Sequence, residues 1–315
     1  MTARHIGVIW NPAKTSREKL GSALDKAAAS AQAEPEVRWF ETSKDDPGQG
    51  AAAQAIEAGA DVVVAAGGDG TVRAVAEHLA AAGTDVELGI VPLGTGNLLA
   101  RNLGVPLLNL PAAFKRALTG EARAIDLGWL EIDLAAGTER HAFGVLAGFG
   151  LDAHMIVETD DDLKDKVGWL AYVESLGRAL SASDTLDIRY TADDGPQRDE
   201  RVHTLIVGNC GTLQAGVTLL PDADPSDGEL DLLVLGADGA AGWADTLRNM
   251  VWDNGIKRLV TPGAKAESSD NVTHGRLKGL ELELTEPRMF EIDGEDLGET
   301  TRVTFTVQPA AVRVR

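Results

Sequence analysis

The 315-residue chain contains one cysteine, Cys210, so no internal disulfide framework is available. Cys210 ends the apolar stretch TLIVGNC and reads as a small buried residue rather than a reactive thiol. Basic residues are scarce: 29 Lys and Arg against 49 Asp and Glu leave a formal charge of −20. That weighs against a nucleic-acid binder, which presents a basic face, and against docking to an anionic membrane through a polybasic surface. No apolar run reaches the roughly 18 residues of a membrane-spanning helix. The opening MTARHIGVIWNP has neither the charged n-region nor the apolar h-region of a signal peptide. The six histidines (His5, His78, His141, His154, His203, His274) are scattered without metal-ligand spacing. The expectation is a soluble, cytoplasmic protein without a zinc site.

Apolar residues make up 44% of the chain, ample for burying a core, and the length suits two domains. Over the first 125 residues short apolar strands alternate with alanine-rich helical stretches. HIGVIW precedes a helix from Ser16 to about Ala33, EVRWFE one over 48–58, DVVVAAG the segment VRAVAEHLAAA, and ELGIVPLG a segment running into LPAAFKRALTG. Such alternation predicts a parallel sheet with helices on its faces, and the continuous apolar strands predict burial on both sides. Beyond about Ala124 the pattern becomes AFGVLAGFG, TLDIRYTADDGPQ, VHTLIVGNC, ELDLLVLG, GLELELTE, MFEIDGE and TRVTFTVQP, often period-two and punctuated by Gly, Pro or Asp-Gly. That is a mostly antiparallel β region, with helices expected at 162–181 and 240–252. The expected domains are 1–125 and 126–315.

Two glycine-rich turns carry the chemistry. AAGGDGTV (65–72) leaves a buried strand and opens a helix, and PLGTGN (92–97) repeats the arrangement on a neighbouring strand. Ligands of parallel sheets bind outside the carboxyl ends of the strands. Glycine allows close backbone approach, and the free amides of a following helix favour an anion. Each turn alone could be only a tight strand-to-helix connection; together they suggest a paired phosphate cradle. Neither fits the P-loop pattern, because no Lys-Ser/Thr follows at the required spacing. Asp69 would need a cation or several amide donors if buried, and magnesium carried by a nucleotide is the natural cation.

The run GGDGTV followed by PLGTGNLLARNLGVP (92–106) resembles the diacylglycerol kinase and sphingosine kinase-like lipid kinase family, the bacterial soluble members above all. IWNPAK, GFGLDA, LPDADPSDGELDL and FEIDGE resemble further landmarks of that family in order and spacing. The resemblance implies an α/β nucleotide-binding domain, related more remotely to NAD kinases and phosphofructokinases, a C-terminal β-sandwich domain, and an active site in the cleft between them. It implies ATP and Mg2+ as cofactors. Asn11, Gly67, Gly68, Asp69, Gly70, Thr71, Thr95 and Asn97 would line the nucleotide, with Thr42 less directly placed. Two departures stand out: Ala13-Lys14 replaces a Ser-Gly, and Arg73-Ala74 follows GGDGTV where many members carry a Glu at the second position. Lys14 and Arg17 would supply local positive charge for the nucleotide.

Phosphoryl transfer needs positioning, charge neutralisation and one group to accept the alcohol proton. EIDGEDLG offers Asp293 and Glu295. Spacing alone favours a hairpin turn; the resemblance makes this Asp-Gly-Glu the source of the catalytic acid. Asp293 becomes the general base, Glu295 an assistant at the nucleotide, and Asp69 the third catalytic carboxylate. The acidic loop DADPSDGELDL reads either as a solvated loop or as a cation site. The resemblance implies a structural magnesium there, held by the side chain of Asp227 and the backbone carbonyls of Asp224 and Glu229.

The expected function is an ATP- and Mg-dependent lipid kinase acting on a diacylglycerol or sphingoid-type hydroxyl. Its partner would be a lipid met peripherally at the inner face of the membrane, with no nucleic acid, and with homodimerisation left open. Alternatives are an NAD kinase-like enzyme, or a non-catalytic nucleotide-binding regulatory module. GFGLDA also fits the dinucleotide fingerprint of an oxidoreductase, but no strand-end acid completes it. TDDDLKDK (159–166) reads as a solvated loop. Trp169, Leu170, Tyr172 and the segment WADTLRNMVW read as core or as an apolar lip for a lipid.

Overall fold

The computed structural model describes residues 5–150, 185–213, 218–236 and 272–315. The helices expected at 162–181 and 240–252, TDDDLKDK, Trp169, Leu170, Tyr172, WADTLRNMVW and the end of GFGLDA lie outside the described residues.

The N-terminal half alternates as β1 (His5–Trp10), α1 (Arg17–Ala31), β2 (Glu36–Glu41), α2 (Gln49–Glu57), β3 (Val62–Gly67), α3 (Asp69–Ala82), β4 (Glu87–Pro92), α4 (Leu98–Asn102) and α5 (Leu110–Thr119). β1 pairs in parallel with β2 and with β3, and β3 in parallel with β4. Every residue of β3 is buried, as a strand covered on both faces requires. Local signals set the helix ends. Ser16 caps α1 by accepting the Lys19 amide at 3.3 Å. The Asp46 carboxylate accepts the amides of Gly48, Gly50 and Ala51 at 3.1, 2.9 and 3.0 Å, fixing the start of α2.

The C-terminal half comprises β5 (Arg123–Leu134), β6 (Gly137–Phe143), β7 (Leu146–Phe149), β8 (Leu186–Ala192), β9 (Arg198–Gly208), β10 (Leu230–Gly236), β11 (Val272–Leu277), β12 (Gly279–Ile292) and β13 (Glu295–Val314). These strands pair antiparallel with one another. The alternation GLELEL at the start of β12 puts Leu280, Leu282 and Leu284 inside and Glu281 and Glu283 outside. They join a core with Phe143, Phe149, Phe290 and Phe305, where Phe143 meets Phe305 edge to face at 6.3 Å. Cys210 is buried, and burial pushes its thiol pKa up, in keeping with a packing role.

Two features bear on the site. AFGVLAGFG is not one strand: β6 ends at Phe143, and the chain bends through Gly144 and Val145 before β7 begins. β13 pairs antiparallel with both β12 and β5 and reaches β4 in parallel at Val314, so the last residues return to the N-terminal half. Val312 and Val314 pack there in the same core as β3 and β4.

Candidate active site

The two glycine turns face each other at the carboxyl ends of β3 and β4. A Cβ on Gly94 would stand 2.9 Å from the Gly68 Cα, so the backbones touch and leave no room for a side chain. One half-buried acid joins them. The Asp69 carboxylate accepts the Asn97 amide at 2.7 Å and the Leu98 amide at 2.5 Å, bracing the start of α4. These two amides are donors of the kind a desolvated Asp69 requires. Burial raises its pKa, and the two amides oppose that rise. Asn97 adopts left-handed backbone geometry, φ 48°, and closes its own turn by accepting the Gly94 amide at 2.9 Å and donating to the Gly94 carbonyl at 2.6 Å.

Asp293 stands opposite, in the turn between β12 and β13, also at φ 48°. Its carboxylate gathers the amides of the Gly144–Leu146 bend: Oδ2 accepts from Gly144, and Oδ1 from Val145 and Leu146, each at 2.9 Å. Its own amide donates to the Leu146 carbonyl at 2.9 Å. Burial pushes the Asp293 pKa up to about 6, against the amide donors and the nearby Arg73 charge, which pull it down. A carboxylate offers about four lone-pair sites. Among the described residues two amides donate to Oδ1 and one to Oδ2, so Oδ2 has acceptor capacity beyond its one amide.

Asn11, Gly68, Asp69, Gly70, Thr71 and Thr95 share the lining of a cleft of about 500 Å³ with Asp293 and Glu295. Lys14, Ser43 and Pro47 also line it, and Leu146, Phe149, Ile206 and Leu213 contribute an apolar lining. Gly67, Thr42 and Asn97 stand behind the surface: Thr42 is buried with its amide on the Trp10 carbonyl at 3.0 Å, and Asn97 shapes the turn that exposes Thr95. Arg17 does not line the cleft; its guanidinium lies 5.5 Å from the centre of the Trp39 ring. Ala74, at the position where an acid was expected, is buried in the helix interior. Its neighbour Arg73 instead donates to Glu295 Oε2 at 2.7 Å.

Arg276 pairs with both Asp227 and Glu229. The Asp227 carboxylate also accepts the Glu229 amide at 3.0 Å, and Asp224 takes the Ser226 amide and hydroxyl at 3.0 and 2.7 Å. Of the groups expected at a magnesium, the Asp227 side chain is thus paired with a guanidinium, and the Asp224 carbonyl accepts the Asp227 amide at 3.3 Å. Among the described residues no group of three or more His, Cys, Asp or Glu is placed to hold a metal ion. Asp224, Asp227 and Glu229 also lie outside the cleft lining. Sequence reasoning missed Arg276 because nothing in DADPSDGELDL points to a residue 49 positions downstream. Beside this loop Asp231 is buried, and burial followed by the Asp222 and Glu229 charges pushes its pKa up to about 7.

Residues 5–130 match the model of the diacylglycerol kinase catalytic domain, and residues 145–315 match the YegS C-terminal NAD kinase beta sandwich-like domain. The chain belongs to the YegS-like, diacylglycerol kinase-related lipid kinase family. It is 33% identical over 299 residues to a "Probable lipid kinase YegS-like" of Pseudomonas aeruginosa (strain UCBPP-PA14), covering 94% of this chain and 91% of the relative. A relative of the same description from Xanthomonas campestris pv. campestris (strain 8004) is 33% identical over 320 residues, covering 100% of this chain and 96% of its own length. A crystal structure of a diacylglycerol kinase from Bacillus anthracis str. Sterne shares the fold, with a TM-score of 0.68 at 22% identity, over 100% of this chain and 97% of that one. The protein is therefore a kinase, and the cleft is read as a kinase site. Among the described residues no helix is long and apolar enough to cross a membrane.

Proposed function

We propose that this lipid kinase transfers the γ-phosphoryl group of ATP, with magnesium, to the hydroxyl of a lipid of the diacylglycerol or sphingoid class. One observation carries the reading: the paired glycine turns and Asp293 line the same cleft, the turns at a helix N-terminus suited to phosphates and the acid opposite. The apolar lining contributed by Leu146, Phe149, Ile206 and Leu213 suits an acceptor with a hydrocarbon chain.

The acceptor oxygen attacks the γ-phosphorus, the bond to the β,γ-bridging oxygen breaks, and ADP departs. The proton lost by the alcohol passes to Asp293 Oδ2, which has acceptor capacity beyond its one amide. The amides of Val145 and Leu146 keep the carboxylate fixed as it takes the proton. Asp69 has acceptor capacity beyond its two amides, so it fits the role of meeting the nucleotide's magnesium; that ion supplies charge neutralisation for the phosphates when bound. Lys14 adds positive charge at the cleft wall. The lipid would be met at a membrane surface, with its headgroup hydroxyl entering the cleft.

The test is transfer of labelled γ-phosphate from ATP into organic-extractable product, with diacylglycerol, sphingosine, ceramide and polyprenol as acceptors. Label in one lipid supports the reading and names the substrate class. Phosphorylation of NAD instead would move the protein toward an NAD kinase activity. Saturable ATP binding without any transfer would favour a regulatory module.

A further inference from the structure

Arg73 sits one turn into α3, four residues after Asp69, with its side chain only 11% exposed. Its guanidinium reaches two carboxylates from different parts of the chain. NH2 donates to Glu295 Oε2 at 2.7 Å, across 222 positions, and NH1 lies 3.7 Å from Glu77 Oε2, one helical turn along. Glu77 is itself committed: Oε2 accepts the Ala142 amide of β6 at 2.8 Å and Oε1 the Gln49 side chain at 3.3 Å. Glu295 has no such second anchor. It is about half exposed, and Arg73 is the one partner that holds its carboxylate among the described residues. The acid's location is specific: a Cβ on Gly70 would fall 2.1 Å from Glu295 Oε1, so the carboxylate lies directly on the first turn of α3.

We propose that Arg73 is a positioning residue for phosphoryl transfer, fixing the Asp293–Gly294–Glu295 turn against the N-terminus of α3 through its charge. The proposal rests on the reading of the cleft as a phosphoryl-transfer site. Asp293 and Glu295 flank a single glycine at φ 85°, so a restraint on Glu295 is carried to Asp293 through a tight turn. The Asp293 carboxylate is anchored on one wall by the Gly144–Leu146 amides, and Arg73 adds the tie to the other wall, where the phosphate cradle lies. The distance between the proton acceptor and the phosphates is thereby set by one ion pair between the two walls. A near-buried guanidinium suits this work, because its own surroundings are largely protein and its fork of donors fixes direction as well as distance. Misplacement of about 1 Å in such a geometry is enough to lose on the order of a hundredfold in rate.

The experiment compares wild type, R73K, R73M, R73E and the charge-reversed pair R73E/E295R. Steady-state kinetics with ATP and the accepted lipid are combined with hydrogen exchange of the Gly144, Val145 and Leu146 amides. R73M should lose about 10- to 100-fold in kcat with KM for ATP changed less than threefold. R73K should keep most of the rate, and the reversed pair should recover at least tenfold over R73E alone. Exchange at the three amides should quicken in R73M and slow again in the reversed pair. A purely structural Arg73 would lower stability without this rescue pattern or the split between kcat and KM. Unchanged kcat and unchanged exchange in R73M would overturn the proposal. If wild type phosphorylates no lipid, the functional reading fails, and the exchange arm decides the Arg73 claim by itself: unaltered protection in R73M rejects it, loss of protection with recovery in the reversed pair sustains it.

Discussion

Asp69 accepts the backbone amides of both Asn97 and Leu98, so one carboxylate from the first glycine turn holds the second turn in place. The cradle is a single unit rather than two adjacent loops. Asp69→Asn would present an amide group to one of those N–H donors, leaving it unpaired at a cost of about 1–3 kcal/mol. Chemical denaturation should show that loss, and calorimetry should show ATP binding weakened at least tenfold. A variant with wild-type stability and affinity would mean that the bracket is not what shapes the cradle.

Two glycines should respond to alanine in opposite ways. At Gly94 the new Cβ meets backbone, 2.9 Å from the Gly68 Cα, so overpacking of about 1–3 kcal/mol is expected together with loss of nucleotide binding. At Gly70 it meets the half-exposed Glu295 carboxylate, which can yield by giving up its Arg73 ion pair, so stability should change by less than about 1 kcal/mol. Gly70→Ala should nevertheless slow transfer about tenfold, because Glu295 loses its seat. Thermal unfolding and kcat, measured on both variants, separate the cases.

The Asp293 pKa of about 6 gives the pH profile its sign. A proton acceptor works when ionised, so kcat/KM should rise as pH increases through about 6 and level off above it. A profile flat from pH 5 to 8 would remove Asp293 from that role.

The same shift, with that of Asp231 to about 7, predicts the pH dependence of stability. Both groups bind protons more tightly folded than unfolded, where aspartate titrates near ~4. Between about pH 4 and pH 7 the native state therefore holds protons that the unfolded chain has released, and these two sites make stability fall as pH rises. Urea midpoints at pH 5 and 7.5 measure the slope, and Asp231→Asn should flatten it.

Much of the N-terminal half could be read from the sequence because its signals are local. DVVVA is apolar enough to be buried on both faces, GGDG punctuates it, and Ser16 and Asp46 cap helices within five residues of themselves. The acid-bearing turn at Asp293 was also legible as a turn, although not the three amides it gathers from 144–146. Contacts between distant segments were not legible. The bend at Gly144 is hidden within a continuous apolar run, and β13 extends over both halves although its sequence reads as one short strand, TRVTFTVQP. Arg73 stood out in the sequence only as a departure, and its partner lies at the far end of the chain. In the acidic loop the carboxylates were visible in the sequence, but Arg276, which pairs with Asp227 and Glu229, comes from another strand.

The central claim is that one wall of the cleft holds the nucleotide and Asp293 on the other takes the proton. The most direct measurement is single-turnover transfer in Asp293→Asn beside wild type, with ATP affinity measured on the same samples. The account predicts ATP binding within about threefold and transfer slowed by about 10²–10⁴-fold, the usual worth of a general base. Transfer within tenfold of wild type, at unchanged affinity, would contradict it.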